Sequence, residues 1–509
     1  MKRDGALESI WQAGQEDYQP ANSWEKDTVY DAVIIGGGIT GLTTGLLLQS
    51  QGKKCILAEA HTIGFGTSLG TSAHLNTILD TPYHIIEKNF SEAAARQMAL
   101  ASGGAIDLIE QIVSEKEIEC NFRYETGYLF AQNETETEEL EKIKASTEKA
   151  GIVADWSPQI PLPFDFIKAC RVGFQAQLHI GRYLTGLAGA FEAAGGVILQ
   201  HCIAAAVQED NGVTVTTSLG DIKGRHLVYA THIPPGINIL HFRCAPYRSY
   251  VAAFRLNSGK YPEGLVYDMK DPYNYFRTEE IGGTKYLIAG GFDHKTGHEH
   301  NTEMVFTQLE AFLRQHFDIA SIDYKWSSQY YVPVDGLPYI GLLPGHDHIY
   351  TGTGYNGNGL VLGTVAAQMI SDAILEIENP YASILSPGRV KPVAGFVEFV
   401  KENADVVSQF IGKRFSYEKI STLSELAKGE AVLAEWEGKK VALYKDEQGK
   451  VFAMDPVCPH AGCIVAWNSA EKSWDCPCHG GRYAPNGALL TGPATRNLTP
   501  LLWEEMDGD

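Results

Sequence analysis

The sequence predicts an α/β domain that opens on a βαβ unit and carries an inserted antiparallel sheet, followed by a small all-β domain. Three observations predict it. Residues 30–59 run through an apolar strand, a glycine turn, a helix and a second short strand. From about 240 to 330, several runs alternate apolar and polar positions as half-buried strands do. Beyond Phe415 the pattern changes to short strands and turn residues, with four cysteines and two histidines between Cys458 and His479.

A chain of 509 residues is too long for one average core. Residues 1–27 are polar and aromatic without a period and read as an arm lying on the domain behind it. The α/β domain is expected over 28–390, with its antiparallel sheet at about 240–330. Over 391–415, Phe396, Val400, Val407, Phe410 and Ile411 recur at helical spacing and Gly412 stands as a C-cap, which predicts a linking helix. The all-β domain follows at 416–509, with hairpins expected at "EGKK" and "DEQGK".

A formal net charge of -21 argues against nucleic acid and anionic membrane surfaces, both of which need a cationic footprint. No run of about 18 apolar residues is present, and the first twenty residues lack the apolar core of a signal peptide. Five cysteines (Cys55, Cys120, Cys170, Cys202, Cys244) are scattered singly, as buried thiols in a reducing compartment are. The expected location is the cytoplasm.

Gly36, Gly38 and Gly41 match G-x-G-x-x-G between a β-branched strand and a helix. The pattern supplies a tight turn, close backbone approach to a pyrophosphate, and a helix N-terminus that favours negative charge. Glu59 closes the next strand, where a carboxylate binds ribose hydroxyls. Together these predict a Rossmann-like, dinucleotide-binding domain. A second match at Gly352, Gly354 and Gly357 is followed by no strand with an acidic end, so it completes no second unit. Its helix N-terminus can instead face the flavin edge that gains negative charge on reduction.

The segments "GGGITG", "GFGTSLGTSAHLNT", "FQAQLHIGRYL", "LVYATHIPP", "PVDGLPYIG" and "GTGYNGNG" follow in an order that resembles the D-amino-acid oxidase-like family of FAD-dependent oxidoreductases, over about 360 residues. The resemblance implies FAD, with Gly36, Gly38, Gly41 and Glu59 on its ADP half. It implies Thr67 and Ser68 near the pyrophosphate or flavin and Val207 near the adenine. Gly357, Asn358, Gly359 and Leu360 are implied near the isoalloxazine, although many relatives read Lys-Trp-Gly-Met-Thr where this chain has "NGNGL". His74 is expected to lie near the cofactor; some relatives attach FAD covalently through a histidine in this region.

Such relatives oxidise a C–H bond beside an amine nitrogen, which requires a neutral amine, correct approach to the flavin and often an Arg that clamps a carboxylate. Arg277 is the candidate guanidinium, with Tyr275 on the same strand face; the competing reading is a structural ion pair. His294, beside Lys295 in "GGFDHKTG", is a candidate catalytic group or part of a turn packed on the C-terminal domain. His179 is expected to orient local backbone, and Asp335 to serve as a turn carboxylate.

Cys458-x-His460 is followed after 15 residues by Cys476-x-x-His479. This is not a common zinc spacing, and a C-x-x-C beside a βαβ unit is absent. Two thiolates and two imidazoles in two loops fit a Rieske [2Fe-2S] centre. The last 95 or so residues closely resemble the Rieske family. That resemblance implies Cys458 and Cys476 on one iron, His460 and His479 on the other, and a disulfide between Cys463 and Cys478. Gly481 stands where the cytochrome-complex branch has Ser, while Tyr483 remains placed to donate to a ligand thiolate. One hydrogen bond fewer predicts a potential below the top of the Rieske range.

The expected activity is therefore that of a flavin and iron-sulfur oxidoreductase, a dehydrogenase more than an oxidase. A small-molecule amine or amino-acid-like substrate reduces FAD, and the cluster passes the electrons singly to an acceptor that the sequence does not name. Two other readings stay open: an electron-transfer or redox-responsive flavoprotein without its own small-molecule substrate, and a reductase running electrons from the cluster to FAD.

Overall fold

The computed structural model describes residues 3–390, 418–419, 426–436 and 438–501. The linking helix expected at 391–415 lies outside the described residues. Among them, no helix is long and apolar enough to cross a membrane.

Val29–Ile35 forms the centre of the first sheet because its "AVII" core is apolar on both faces, as a strand covered on two sides must be. It pairs in parallel with Cys55–Ala58 on one side and Gly220–Tyr229 on the other. Val197–Leu199 extends one edge and Ile349–Thr353 the other, again in parallel. Helix Ile39–Ser50 is apolar nearly all round and packs with helix Gly359–Ile374. Both helix N-termini therefore open at the strands' carboxyl ends, where a doubly wound sheet binds its ligand.

The second sheet has nine strands, more than the 240–330 stretch supplies. Strands Cys244–Leu256, Leu265–Asp268, Tyr275–Ile281, Thr284–Lys295 and Ile319–Pro333 are joined by Arg123–Ala131, Lys168–Gln177 and two short strands. Between Cys244–Leu256 and Thr284–Lys295 the register shifts: Arg248 pairs with His294 but Tyr250 with Gly291. Ser249 thus opposes both Phe292 and Asp293, a β-bulge that bends the strand and re-aims its side chains. Phe292 takes a left-handed φ of 58° to make the bend.

Among the described residues, the C-terminal region forms two four-stranded sheets. Both expected hairpins form, with Trp436 opposite Lys439 and Lys445 opposite Val451.

Buried charges join this region to the rest of the chain. Arg482 binds Asp4 at 2.7 Å and Asp475 at 3.0 Å; Arg248 reaches Asp475 at 3.2 Å; Arg3 reaches Glu471 at 2.8 Å. None of these side chains is more than 2% exposed. Buried charges are tolerated only when fully paired, so this mutual set specifies one docking position. The N-terminal arm is part of it: Arg3 and Asp4 supply two of the charges, and buried Trp11 donates to the Thr71 carbonyl at 2.6 Å.

Candidate functional site

One long cavity runs from the first glycine turn to the second sheet. Gly36 and Gly38 line it. Gly36 holds a φ of 113°, and a Cβ there would strike the Ala230 carbonyl, so only glycine fits. Gly41 is set back from the lining, with its missing side chain allowing the helix to press on the Gly36 carbonyl. Glu59 accepts the Gly37 amide at 2.7 Å and the His61 amide at 2.9 Å while lining the cavity. Ser68 Oγ accepts the Ile39 amide at 3.2 Å, and Thr67 donates to the Gln329 carbonyl at 3.0 Å. This cradle of glycine backbone, helix N-terminus and carboxylate fits the ADP half of FAD.

Val207 is not part of the lining; Cys202, Ile203 and Ala204 stand there instead. Val207, which the family resemblance implied near the adenine, packs instead against a buried cluster that includes Ile35, Ile56 and Val215. Gly357, Gly359 and Leu360 line the other end. Asn358 does not, because its amide is used on the protein itself: Oδ1 accepts the Asp80 amide at 2.9 Å and Nδ2 donates to Asn76 Oδ1 at 2.9 Å. The Gly357 amide donates to Asp80 Oδ2 at 2.7 Å.

Tyr275 lines the cavity, whereas Arg277 does not. Arg277 is fully buried, paired with Glu279 two residues on, and donates to the carbonyls of Ala73 (2.6 Å), Ser72 and Leu178 (both 3.3 Å). Its Nε is buried without a partner but stands outside the cavity lining, so the geometry favours the competing reading, a structural ion pair with Glu279, over an anchoring guanidinium. His294 is also outside the cavity: its Nε2 meets Tyr250 Oη at 2.9 Å and its Nδ1 the Lys295 carbonyl at 2.9 Å. The neighbouring residue of the bulge, Asp293, is the one that lines the cavity. His74 lines it as well, with Nδ1 2.8 Å from Ser72 Oγ and a buried Nε2 without a partner. Burial, then the charge of Arg277, lowers its pKa to about 3, so the ring is neutral. His179 caps helix Ile180–Ala193 by accepting the Arg182 amide, and Asp335 pairs with Arg389 at 2.7 Å.

The cysteine and histidine loops form a second site. Cys463 and Cys478 are joined by a disulfide. Their sulfurs lie within 4.8 Å of Cys476 Sγ but are bonded to each other, so they offer no thiolate to a metal. Cys458 and Cys476 remain free and adjacent: the hydrogen bond between them lowers Cys458 to about 7 and raises Cys476. Backbone amides of His460 and Ala461 face the first sulfur, and those of Cys478 and His479 the second. Tyr483 Oη is 3.1 Å from Cys458 Sγ. The rings of His460 and His479 stand 4.9 Å apart, at 83° to each other. His460 Nε2 meets the Gly236 carbonyl at 2.9 Å, which requires the proton on Nε2 and leaves Nδ1 with its lone pair. That Nδ1 and both ring nitrogens of His479 are buried without a partner. Two adjacent thiols and orphaned imidazole nitrogens in one pocket are the donor set of a Rieske cluster.

The two sites share a wall. Gln329 and Tyr331 line the cavity, and they donate to the carbonyls of Gly480 at 2.9 Å and His479 at 3.1 Å. Residues 489–492 of the C-terminal region line the cavity from the other side, with the Leu490 carbonyl 3.2 Å from His61 Nε2. Sequence reasoning did not find these contacts, nor Asp293, Tyr267, Tyr273 and Tyr330, because each is brought in by a distant strand or loop.

The family model for FAD dependent oxidoreductases (DAO) matches residues 31–373, and the Rieske [2Fe-2S] domain model matches residues 416–501. The chain is 32% identical over 497 residues to the Rieske 2Fe-2S iron-sulfur protein YhfW of Bacillus subtilis (strain 168), covering 97% of each. It is 22% identical to gamma-glutamylputrescine oxidoreductase of Escherichia coli (strain K12), over 72% of this chain and 88% of the relative. Glycine oxidase from Geobacillus kaustophilus shares the fold, with a TM-score of 0.57 at 17% identity over 71% of this chain and 99% of that one.

Proposed function

Because the chain belongs to the FAD dependent oxidoreductase family and carries a Rieske [2Fe-2S] domain, we propose that it oxidises an amine or amino-acid-like donor and delivers the electrons one at a time to an acceptor. Bound FAD supplies two-electron oxidation of the C–H bond, and the [2Fe-2S] cluster supplies single-electron transfer. The observation that carries this reading is the shared wall: Gln329 and Tyr331 border the flavin cavity and hold the His479–Gly480 backbone. A wall one residue thick favours electron exit through the cluster, and so a dehydrogenase over an oxidase. The name of the gamma-glutamylputrescine relative supports an amine donor.

In this reading Gly36, Gly38, Gly41 and Glu59 hold the ADP half, Thr67 and Ser68 the middle, and Gly357, Gly359 and Leu360 the flavin end. Cys458, Cys476, His460 and His479 ligate the iron. The domain limits we propose are 28–390 and 416–509, supported by the family matches. The seven cysteines outside the disulfide are all buried, which supports a cytoplasmic location.

The test is anaerobic titration of the holoprotein with a panel of amines and amino acids, following flavin and cluster absorption separately. Bleaching of both by one donor supports the proposal. Rapid oxygen consumption that survives His460→Ala or Cys476→Ser contradicts the exit through the cluster.

A further inference from the structure

The flavin end of the cavity carries a second chemical message. Asp293, half-buried, lines it from the bulge, with Oδ2 accepting the Tyr330 hydroxyl at 2.7 Å and Oδ1 without a hydrogen-bond partner. Around it stand aromatic walls at mutually steep angles. Tyr267 and Tyr273 have ring centroids 6.1 Å apart at 66°, and Tyr273 and Tyr275 are 6.2 Å apart at 62°. His74 closes a side, 5.4 Å from Tyr267 and 5.6 Å from Tyr275. All four phenol hydroxyls are tied back: Tyr267 accepts from Asn76, Tyr273 donates to Asp80, Tyr275 meets Ser249 and Tyr330 donates to Asp293. The rings are therefore held in place around the space they line.

The charges in that space have one sign. No Lys or Arg lines the cavity among the described residues, and His74 is neutral. Arg277 spends its charge on Glu279 behind the wall. Aromatic faces around a carboxylate attract an alkylammonium ion, and a substrate carboxylate would meet Asp293 with nothing to offset it.

We infer that the substrate is an alkylamine bound as its ammonium ion, without a carboxylate on the reacting carbon, held by Asp293 within the Tyr267, Tyr273 and Tyr275 walls. This rests on the amine-donor reading and narrows it. Asp293 also takes the proton that must leave: an N–H bond breaks, an O–H bond forms, and a neutral amine faces a neutral carboxyl. Burial pushes Asp293 up to about 7, with Asp80 adding to the rise and the Ser249 and Tyr330 hydroxyls opposing it. Near that value a carboxylate exchanges a proton readily at neutral pH.

Binding tests this separately from turnover. Anaerobic holoprotein is titrated with n-butylammonium, N-methylbutylammonium, glycine and proline, by calorimetry and by perturbation of the flavin spectrum. The expected result is at least tenfold tighter binding of the alkylammonium ions, about a hundredfold loss in Asp293→Asn, and partial recovery in Asp293→Glu. Tyr275→Leu, a second variant, loses about tenfold for the alkylammonium ions. Glycine or proline binding as tightly as butylammonium overturns the inference, as does unchanged affinity in Asp293→Asn. If butylammonium binds in the expected pattern but no amine bleaches the flavin, the ligand class stands and the donor reading falls. If proline bleaches the flavin and butylammonium does not bind, the donor reading stands and this one falls.

Discussion

Tyr331 donates its hydroxyl to the His479 carbonyl at 3.1 Å while its ring forms part of the flavin cavity. Tyr331 is 1% exposed, so this contact cannot be exchanged for water. Removing the hydroxyl leaves a buried carbonyl without its donor, at a cost of about 1–3 kcal/mol. Tyr331→Phe is expected to lower the unfolding free energy measured in urea by that amount and to slow the arrival of electrons at the cluster severalfold, as read by stopped-flow absorption.

Asp475 ties the stability of the docked domain to acid pH. Burial alone would raise its pKa, but Arg482 and Arg248, with hydrogen bonds from Asn468 and Ser473, bring it down to about 2. A depressed carboxyl stabilises the fold above its unfolded value near 4 and loses that contribution as pH falls toward 2. The loss is about 2 kcal/mol. Urea unfolding between pH 5 and 2 should show this slope, and Asp475→Asn should flatten it. Arg482→Met, which leaves Asp4 with Arg3 and Asp475 with Arg248 as their remaining cationic partners, is expected to cost about 3 kcal/mol at pH 7.

Gly481 offers a test of how the cluster is tuned. A Cβ there would lie 3.7 Å from Cys458 Sγ and 3.4 Å from Tyr483 Oη, in ordinary contact, so Gly481→Ser fits. Its hydroxyl comes within reach of the ligand sulfur. One added hydrogen bond favours the reduced cluster by about 1 kcal/mol, or roughly 40 mV for one electron. Film voltammetry should show a rise of that order in Gly481→Ser and a fall in Tyr483→Phe.

The pH dependence of ligand binding follows from Asp293. Its carboxyl faces Asp80, Ser249, Tyr330, Tyr273 and Tyr275, and burial holds all three phenols protonated well above neutrality. Butylammonium stays charged throughout, so its affinity should rise about tenfold per pH unit up to about 7 and then level off. Asp293→Asn should abolish the rise. Because the folded pKa lies above the unfolded one, ionised Asp293 weakens the unliganded fold at higher pH. Asp293→Asn should therefore raise stability at pH 8 by about 1–3 kcal/mol, measured as thermal midpoint.

The parts legible in the sequence are those whose residues sit together in it. Gly36, Gly38 and Glu59 belong to one βαβ unit, and Cys458, His460, Cys476 and His479 to two nearby loops. For Arg277 the sequence left an anchoring guanidinium and a structural ion pair both open, and the partner for the second was in view: Glu279, two residues on, shares its strand face and neutralises it. Asp293 was overlooked beside His294 because a one-residue register shift decides which of the two enters the cavity. Tyr267 and Tyr330 come from two strands and Tyr273 from the loop between Leu265–Asp268 and Tyr275–Ile281, and no local pattern joins Tyr330 to the others. Nor does any pattern announce that Arg3 and Asp4 would meet Glu471 and Arg482 across almost the whole chain.

Whether donor electrons reach the cluster inside one molecule is read most directly by anaerobic stopped-flow mixing of the holoprotein with butylamine, watching flavin and cluster bands at several protein concentrations. The shared wall predicts that cluster reduction follows flavin bleaching at a rate independent of protein concentration. A cluster that stays oxidised beside a fully bleached flavin, or a rate that scales with concentration, would contradict it.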